Sequence, residues 1–439
     1  MSAAGGQTGS PGLLRGLGRF DVVALCVNSI VGAGVFAMPA GLAINAGRYS
    51  LAVILIAFVV VGLLALTLAE VASRYDVTGG PQYYAQVTFG PLAGFTVGWL
   101  FVLSSIASTA LIAQVMLDYA AALWPALAAP WPRAVIITVF MVFLAGINIR
   151  GVTRGAGLGN LLTVAKMLPL GLIALAGLWF AGWNDIPATE PLQPDGLSSA
   201  LQLAIFACVG FHVAAVVAGE MRDPRRDLPV SILGGLAIAC LLYLLLMLAC
   251  FGVLPDTAAS AMLPLVDVAK AFIGPAGATL MATAAVVSCA GGLSVQMLVG
   301  PRYVFALGAA RDLPHRLIDV HDRFRTPHVA ITAYAAVSWL LTITGTFKYL
   351  LAIFVIARML AHGSTAAALI VLRYREGRAP VHIPGGSVVA LLALLACAAI
   401  VASASFNAVR DVVIVLAVGL AIRAAVRIRN ARSAVRTGG

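Results

Sequence analysis

Twelve long apolar stretches separated by short polar turns leave this chain few ways to fold. They run over about residues 20–44, 50–73, 92–122, 133–149, 158–182, 197–219, 228–254, 277–305, 328–346, 349–372, 386–405 and 409–428. Each is close to the roughly 20 residues that a helix needs to cross a hydrocarbon core. Inside lipid every backbone N–H and C=O must be satisfied within the protein, which selects helices over open sheets. With 61% hydrophobic and 10% charged residues, an ordinary soluble globule is excluded. The expected fold class is an all-α integral membrane protein of twelve transmembrane helices.

The net charge of +11 does not point to nucleic acid. With the N-terminus placed inside, twenty-one of the 28 Lys and Arg fall on the cytoplasmic side, against five outside (Arg48, Arg133, Lys270, Lys348, Arg410); Lys166 and Arg358 lie within spans. This is the positive-inside asymmetry. It predicts a multi-pass cell-membrane protein with both termini cytoplasmic, because one missed span would scramble the later loops. All six cysteines lie within apolar segments at unpaired spacings, so neither a disulfide framework nor a zinc site is expected, and nothing calls for a cofactor. The first apolar segment is too long for a cleavable signal.

Two of the spans are interrupted. In the first, Asn28-Ser29-Ile30-Val31-Gly32-Ala33-Gly34-Val35-Phe36 sets two glycines around one small residue, and Pro39 follows, so the helix is expected to break near Val31 to Val35. In the sixth, Phe206-Ala207-Cys208-Val209-Gly210-Phe211-His212 places a glycine and a histidine mid-segment. Small residues also let membrane helices pack closely, but two breaks half a chain apart fit two five-helix halves, the inverted-repeat pattern of secondary transporters. The organisation read from this is a tail over 1–19, a first repeat over 20–182, a second over 197–372, peripheral helices over 386–428 and a tail over 429–439.

Half-helix ends at such breaks offer free N–H groups to an anion and bare carbonyls to a cation. All seventeen Asp and Glu fall in loops or at span ends. A substrate amine would then meet carbonyl dipoles rather than a carboxylate, which favours neutral amino acids over cationic ones. Lys166, costing roughly 2.5–3.5 kcal/mol inside a span, reads either as a fixed cation on carbonyls opened by the first break or as a group that loses and regains a proton. In either role it does what a bound sodium ion would do. Arg358 and His362 share a face one turn apart; Arg358 is expected to donate to backbone carbonyls or reach water, with gating as its functional reading. His212 reads as a proton relay or a packing histidine. The residues Gln82 to Phe89 are expected to form a short interfacial helix with its tyrosines at headgroup level.

These residues resemble the amino acid-polyamine-organocation (APC) superfamily. Gly32-Ala33-Gly34-Val35-Phe36 is similar to its first-span G-[SA]-G-[IV]-F motif, and Phe206 to His212 with Glu220-Met-Arg-Asp-Pro-Arg-Arg-Asp-Leu-Pro229 to its sixth span and trailing E-x-x-[ND]-P-x-R-x-x-P. Arg74 to Pro81, Asn148 to Gly151, Lys166-Met-Leu-Pro169 and Arg302 through Arg311-Asp-Leu-Pro314 to Thr326-Pro327 continue the match in order. The resemblance implies a LeuT-type 5+5 inverted repeat with discontinuous helices 1 and 6, and proton-coupled or exchange transport of amino acids. Backbone at Ile30, Val31, Gly32, Ala33 and Gly34 would hold the carboxylate, and Phe206, Ala207, Cys208, Val209 and Gly210 the amine and side chain. Lys166 would stand in place of sodium. Ala33 replaces a serine common in the family, and His212 stands where relatives often carry an acid. The partners implied are an amino acid, protons and the lipid bilayer. Export, exchange and a non-transporting sensor on the same fold remain alternatives. A channel would need a continuous polar lining, and a membrane enzyme buried acid/base or metal clusters, neither of which the spans carry.

Overall fold

The computed structural model describes residues 18–75, 80–151, 155–180, 194–216, 221, 224–254 and 261–437. Residues 1–17 of the tail expected over 1–19, residues 181–193, and most of Glu220 to Asp223 lie outside these residues. The helices are α1 (Arg19–Ile30), α2 (Gly34–Ala46), α3 (Ser50–Ala72), α4 (Gly80–Phe89), α5 (Pro91–Leu123), α6 (Pro130–Arg150), α7 (Gly155–Phe180), α8 (Pro194–Cys208) and α9 (Val213–Val216). They continue as α10 (Pro224–Val253), α11 (Pro264–Ala309), α12 (His328–Thr344), α13 (Phe347–Glu376), α14 (Gly386–Ala402) and α15 (Phe406–Thr437). Each of the twelve apolar stretches coincides with one of these helices or with a pair broken in mid-course. Among the described residues seven helices are individually long and apolar enough to cross a membrane, or eight if α14 and α15, bent by 110° at their junction, count as one broken span.

Local chemistry sets the helix ends. Pro91, Pro130 and Pro264 open α5, α6 and α11, where the missing N–H is one that would go unbonded anyway. Gly151 and Gly377, at φ 79° and 73°, end α6 and α13 in a conformation that side chains disfavour. Within α11, Ile273 and Gly274 leave helical geometry, which sets the segment from Pro264 apart from the longer helix that Pro275 begins.

The helix α5 is the hub of the bundle, packing against α11, α12, α13 and α4. Its buried positions run round the whole circumference, and it carries Ser104, Ser105, Ser108 and Thr109 into the interior. Two of these are matched by α12: the Tyr334 hydroxyl lies 2.9 Å from Ser105 Oγ and 2.7 Å from Thr109 Oγ1. The helix expected over Gln82 to Phe89 forms as α4, but its tyrosines are not spread at an interface. Tyr84 is buried and stacks on Tyr75 at 5.7 Å, with Tyr83 edge-on to both. Three rings packed together remove more apolar surface from water than three separate rings at headgroup level. Burial, with the Glu376 carboxylate nearby, pushes the Tyr75 hydroxyl above its ordinary pKa.

Candidate functional site

A backbone turn and a lysine build the first break. Val31 sits at φ −76°, ψ 75°, and the Gly32 N–H turns back onto Ile30 O at 2.8 Å, an inverse γ-turn that ends α1. Helical bonding resumes at Ala33, whose carbonyl accepts the N–H groups of Phe36 and Ala37. The last carbonyls of α1 are thereby freed at the negative end of a helix, where a cation is favoured. Lys166 on α7 provides it: Nζ donates to Asn28 O at 2.8 Å and to Val31 O at 2.6 Å. At the start of α2 the N–H groups that follow Ala33 form the positive end of a helix pointing into the same region.

The second break faces the first. Helical bonding in α8 ends with Val209 N–H to Ile205 O at 3.0 Å and gives way to tighter i→i−3 bonds, Val213 to Gly210, Ala214 to Phe211 and Ala215 to His212. The two breaks meet backbone to backbone. A Cβ on Gly34 would stand 2.5 Å from Ala207 Cα, and one on Gly210 would stand 2.5 Å from Ser29 O. The buried hydroxyl of Tyr243 on α10 lies 3.0 Å from Ile30 O and 2.9 Å from Ala207 O, so one donor serves a carbonyl of either break. Since it has a single proton to give, it couples the two rather than satisfying both at once. The carbonyls of Ile30, Val31 and Ala207 thus have protein donors. Of the ten expected binding residues, Gly32 already gives its N–H to Ile30 O and Gly210 accepts the Val213 N–H, so what is left for a ligand is the start of α2 at Ala33 and Gly34 and the backbone at Phe206, Cys208 and Val209.

The closeness of the crossing is testable. In Gly210→Ala the added methyl must displace backbone, at about 1–3 kcal/mol for such overpacking, and transport is expected to fall by about tenfold or more. Gly146→Ala is the control, because nothing lies within 4 Å of a Cβ there. Initial uptake rates normalised to folded protein decide the matter; equal rates for the two variants would show that the contact does not constrain the cycle.

Of the two expectations for Arg358, donation to backbone carbonyls is not met at Nε and Nη1, which have no hydrogen-bond partner. Instead the guanidinium lies over Phe101 at 4.6 Å and near Phe354 at 5.5 Å. The space beside it in the bundle is lined by rings rather than by open backbone, so cation–π contact replaces hydrogen bonding. His212, at the far end of the sixth-span break, and His362, one turn from Arg358, have ring centroids 5.6 Å apart, and both pack on Phe101. Phe206 reaches Phe354 edge-on at 5.1 Å, which joins the break to this cluster.

The structure thus brings together Lys166 with the first break and His212 with Arg358, while the ten backbone positions gather at the crossing. Tyr243 and Phe101 were not anticipated. For Tyr243 a signal was present in the sequence, since a tyrosine deep in an apolar span needs a partner for its hydroxyl. Phe101 carries no such mark. Among the described residues no group of three or more His, Cys, Asp or Glu could hold a metal ion, and the six cysteines are unpaired.

The chain is 29% identical to the serine/threonine exchanger SteT of Bacillus subtilis over 347 residues, covering 76% of this chain and 77% of that one. It is 30% identical over 430 residues to an uncharacterised transporter of Mycobacterium tuberculosis, covering 96% and 93%. With the branched-chain amino acid permease BcaP of Bacillus subtilis the identity is 26% over 442 residues, covering 94% and 93%. The family model described as amino acid permease matches residues 17–421, a range that takes in both breaks, Lys166 and the Arg358 cluster, and the chain therefore belongs to the amino acid permease family of the APC superfamily.

Proposed function

We propose that this protein is a secondary transporter that carries amino acids across the cell membrane by alternating access, with the substrate held where the two broken helices cross. The observation that carries this reading is the crossing itself: two interrupted helices in backbone contact at Gly34–Ala207 and Gly210–Ser29, tied by Tyr243. Irregular backbone at membrane depth is tolerated where it lines a ligand site. In this reading the spans form a LeuT-type 5+5 repeat with α14 and α15 outside it and both termini cytoplasmic. The start of α2 takes the substrate carboxylate, and the backbone between Phe206 and Gly210 takes the amine. The amino acid permease relatives support the substrate class. Neutral amino acids fit the crossing, since its amine site is backbone and no carboxylate among the described residues is there to hold a second ammonium. Lys166 occupies the position of a coupling ion and makes sodium unnecessary, and protons are the coupling species, with His212 as a relay.

The test is uptake of a panel of labelled L-amino acids by proteoliposomes, with and without an imposed inward proton gradient, in sodium-free buffer. The expected result is uptake of neutral amino acids that the gradient accelerates and sodium does not. Strict sodium dependence would overturn the role given to Lys166, and substrate binding without flux would favour a sensor. A second reading, obligatory exchange, is favoured by the similarity to SteT. It predicts uptake only into vesicles preloaded with an amino acid.

A further inference from the structure

Beside the crossing lies a buried cation that has no counter-ion among the described residues. Arg358 is 4% exposed, His362 2% and His212 8%, and each has side-chain nitrogen without a partner: Arg358 Nε and Nη1, His362 Nε2 and His212 Nδ1. The three converge on one surface, the ring of Phe101, with the guanidinium carbon 4.6 Å from its centroid and the two imidazoles at 5.9 and 5.8 Å. Ring faces offset part of the desolvation of a guanidinium but accept no hydrogen bond along its donors. A buried charge left in that state is strongly unfavourable unless something pairs with it.

No acid among the described residues supplies that pair. Glu70 and Asp312, the buried acids among the described residues, are committed elsewhere. Glu70 accepts from Arg373, and Asp312 from Arg423 and Arg427. What this cluster lacks is a negatively charged acceptor small enough to fit among rings. The guanidinium offers donors in a fixed planar fork that suits a carboxylate better than a spherical ion. Its place relative to the crossing is also defined: Phe206, one of the residues at the sixth-span break, touches Phe354, and Arg358 lies 5.5 Å from that same ring. A group at Arg358 is therefore one aromatic ring away from a substrate held at the breaks.

We propose that Arg358, His212 and His362 form an anion pocket that receives the side-chain carboxylate of a dicarboxylic amino acid, extending the substrate range from neutral to acidic amino acids. This rests on the amino acid reading above and adds to it a specificity element. The cation holds the far end of an acidic substrate while backbone at the breaks holds its α-groups. The same charge repels a cationic side chain, so lysine and arginine are rejected.

Counterflow of labelled L-serine and labelled L-glutamate into proteoliposomes of the full-length protein tests this. The wild type, Arg358→Gln and Arg358→Lys are compared, each checked by size-exclusion profile, in chloride and in gluconate media. The wild type is expected to carry both substrates. In Arg358→Gln the ratio of glutamate to serine rates is expected to fall by about tenfold or more, the discrimination typical of a lost charge-assisted pair. Arg358→Lys, which keeps the charge without the fork, is expected to fall between. A wild type that carries serine while neither carrying nor being inhibited by glutamate would overturn the proposal, as would an Arg358→Gln variant that slows both substrates alike. A chloride requirement for serine flux that Arg358→Gln removes would assign the pocket to a free halide and also overturn it. Absence of flux for both substrates in the wild type would instead bring down the transport reading itself, and this inference with it.

Discussion

Proteoliposomes carrying Lys166→Ala are expected to lose amino acid uptake by about a hundredfold or more. The lysine Nζ is the donor at 2.8 and 2.6 Å to two carbonyls that the first break has freed, Asn28 and Val31. Removing it leaves both acceptors buried at the negative end of α1. Each buried polar group without a partner costs about 1–3 kcal/mol, and two such terms together come to about 2–6 kcal/mol, a range whose middle lies above the roughly 2.8 kcal/mol of a hundredfold change. The loss falls on the conformation in which the turn at Val31 is formed, which is the one that presents the start of α2 to substrate. Lys166→Arg is expected to rescue poorly, because a planar fork cannot replace a compact ammonium between two carbonyls spaced for one atom. Lys166→Met keeps the length and apolar stem, so it separates lost packing from lost hydrogen bonds, and it should resemble the alanine variant. Partial recovery of Lys166→Ala by millimolar sodium would mark the vacated position as a cation site. Uptake within about threefold of wild type, from a variant with an unchanged size-exclusion profile, would falsify the assignment of this contact to the transport cycle; the threshold lies well inside the tenfold that 1.4 kcal/mol represents.

The lysine is also the clearest case of what could be read in advance. An intramembrane cation with no acid in any span has only carbonyls to turn to, and the nearest free carbonyls are those of a broken helix. The glycines of Gly32-Ala33-Gly34 mark that break, and the structure places the turn at Val31 to Ala33. Helix positions were legible for a similar reason: in lipid an apolar run has one stable backbone solution. Three-dimensional partnerships were not. Tyr243 stands alone in the sequence of α10, and only the crossing of α1 with α8 brings two carbonyls to its hydroxyl. Arg358 was expected on backbone carbonyls or in water, but the neighbours brought to it by α5 and α13 are rings, and nothing in the spacing of Phe101 reveals that. The tyrosines of α4 read as interfacial because their amphipathic chemistry suits a headgroup layer. The stacking of Tyr75 on Tyr84 depends on α4 packing beside the end of α3. Pattern along the chain reports burial and breaks, whereas contacts between distant segments depend on packing that no local pattern encodes.

Glu70 shows the same limit in energetic terms, and it carries the second large prediction. By sequence it is a carboxylate at the end of the second span, where solvent would be the ordinary neighbour. In the structure it is fully buried and binds Arg373 through both oxygens, Oε1 accepting from Nε at 2.7 Å and Oε2 from Nη2 at 2.5 Å. The Ile383 N–H adds a third donor at 3.1 Å, and Arg373 Nη2 returns a bond to the Ile383 carbonyl at 2.6 Å. One carboxylate therefore ties the end of α3 to the end of α13 and to the turn that leads into α14. The packing is close enough that a Cβ on Gly386 would stand 2.1 Å from Arg373 Nη2. Removing the acid strands a largely buried guanidinium and a backbone N–H, and breaking a buried pair from one side costs about 3–5 kcal/mol. Glu70→Ala is expected to show a large drop in the midpoint of thermal unfolding in detergent, and Glu70→Gln a drop nearly as large, since an amide keeps the shape but loses the charge. The double variant Glu70→Ala with Arg373→Ala is expected to be more stable than Glu70→Ala alone, because it no longer buries an unpaired cation. Arg410→Ala provides the contrast: its pair with Asp411 is half exposed, and exposed pairs contribute little to stability. If Glu70→Gln and Arg410→Ala shift the unfolding midpoint by similar amounts, the junction of α3, α13 and α14 is not held by this ion pair and must rest on apolar packing alone.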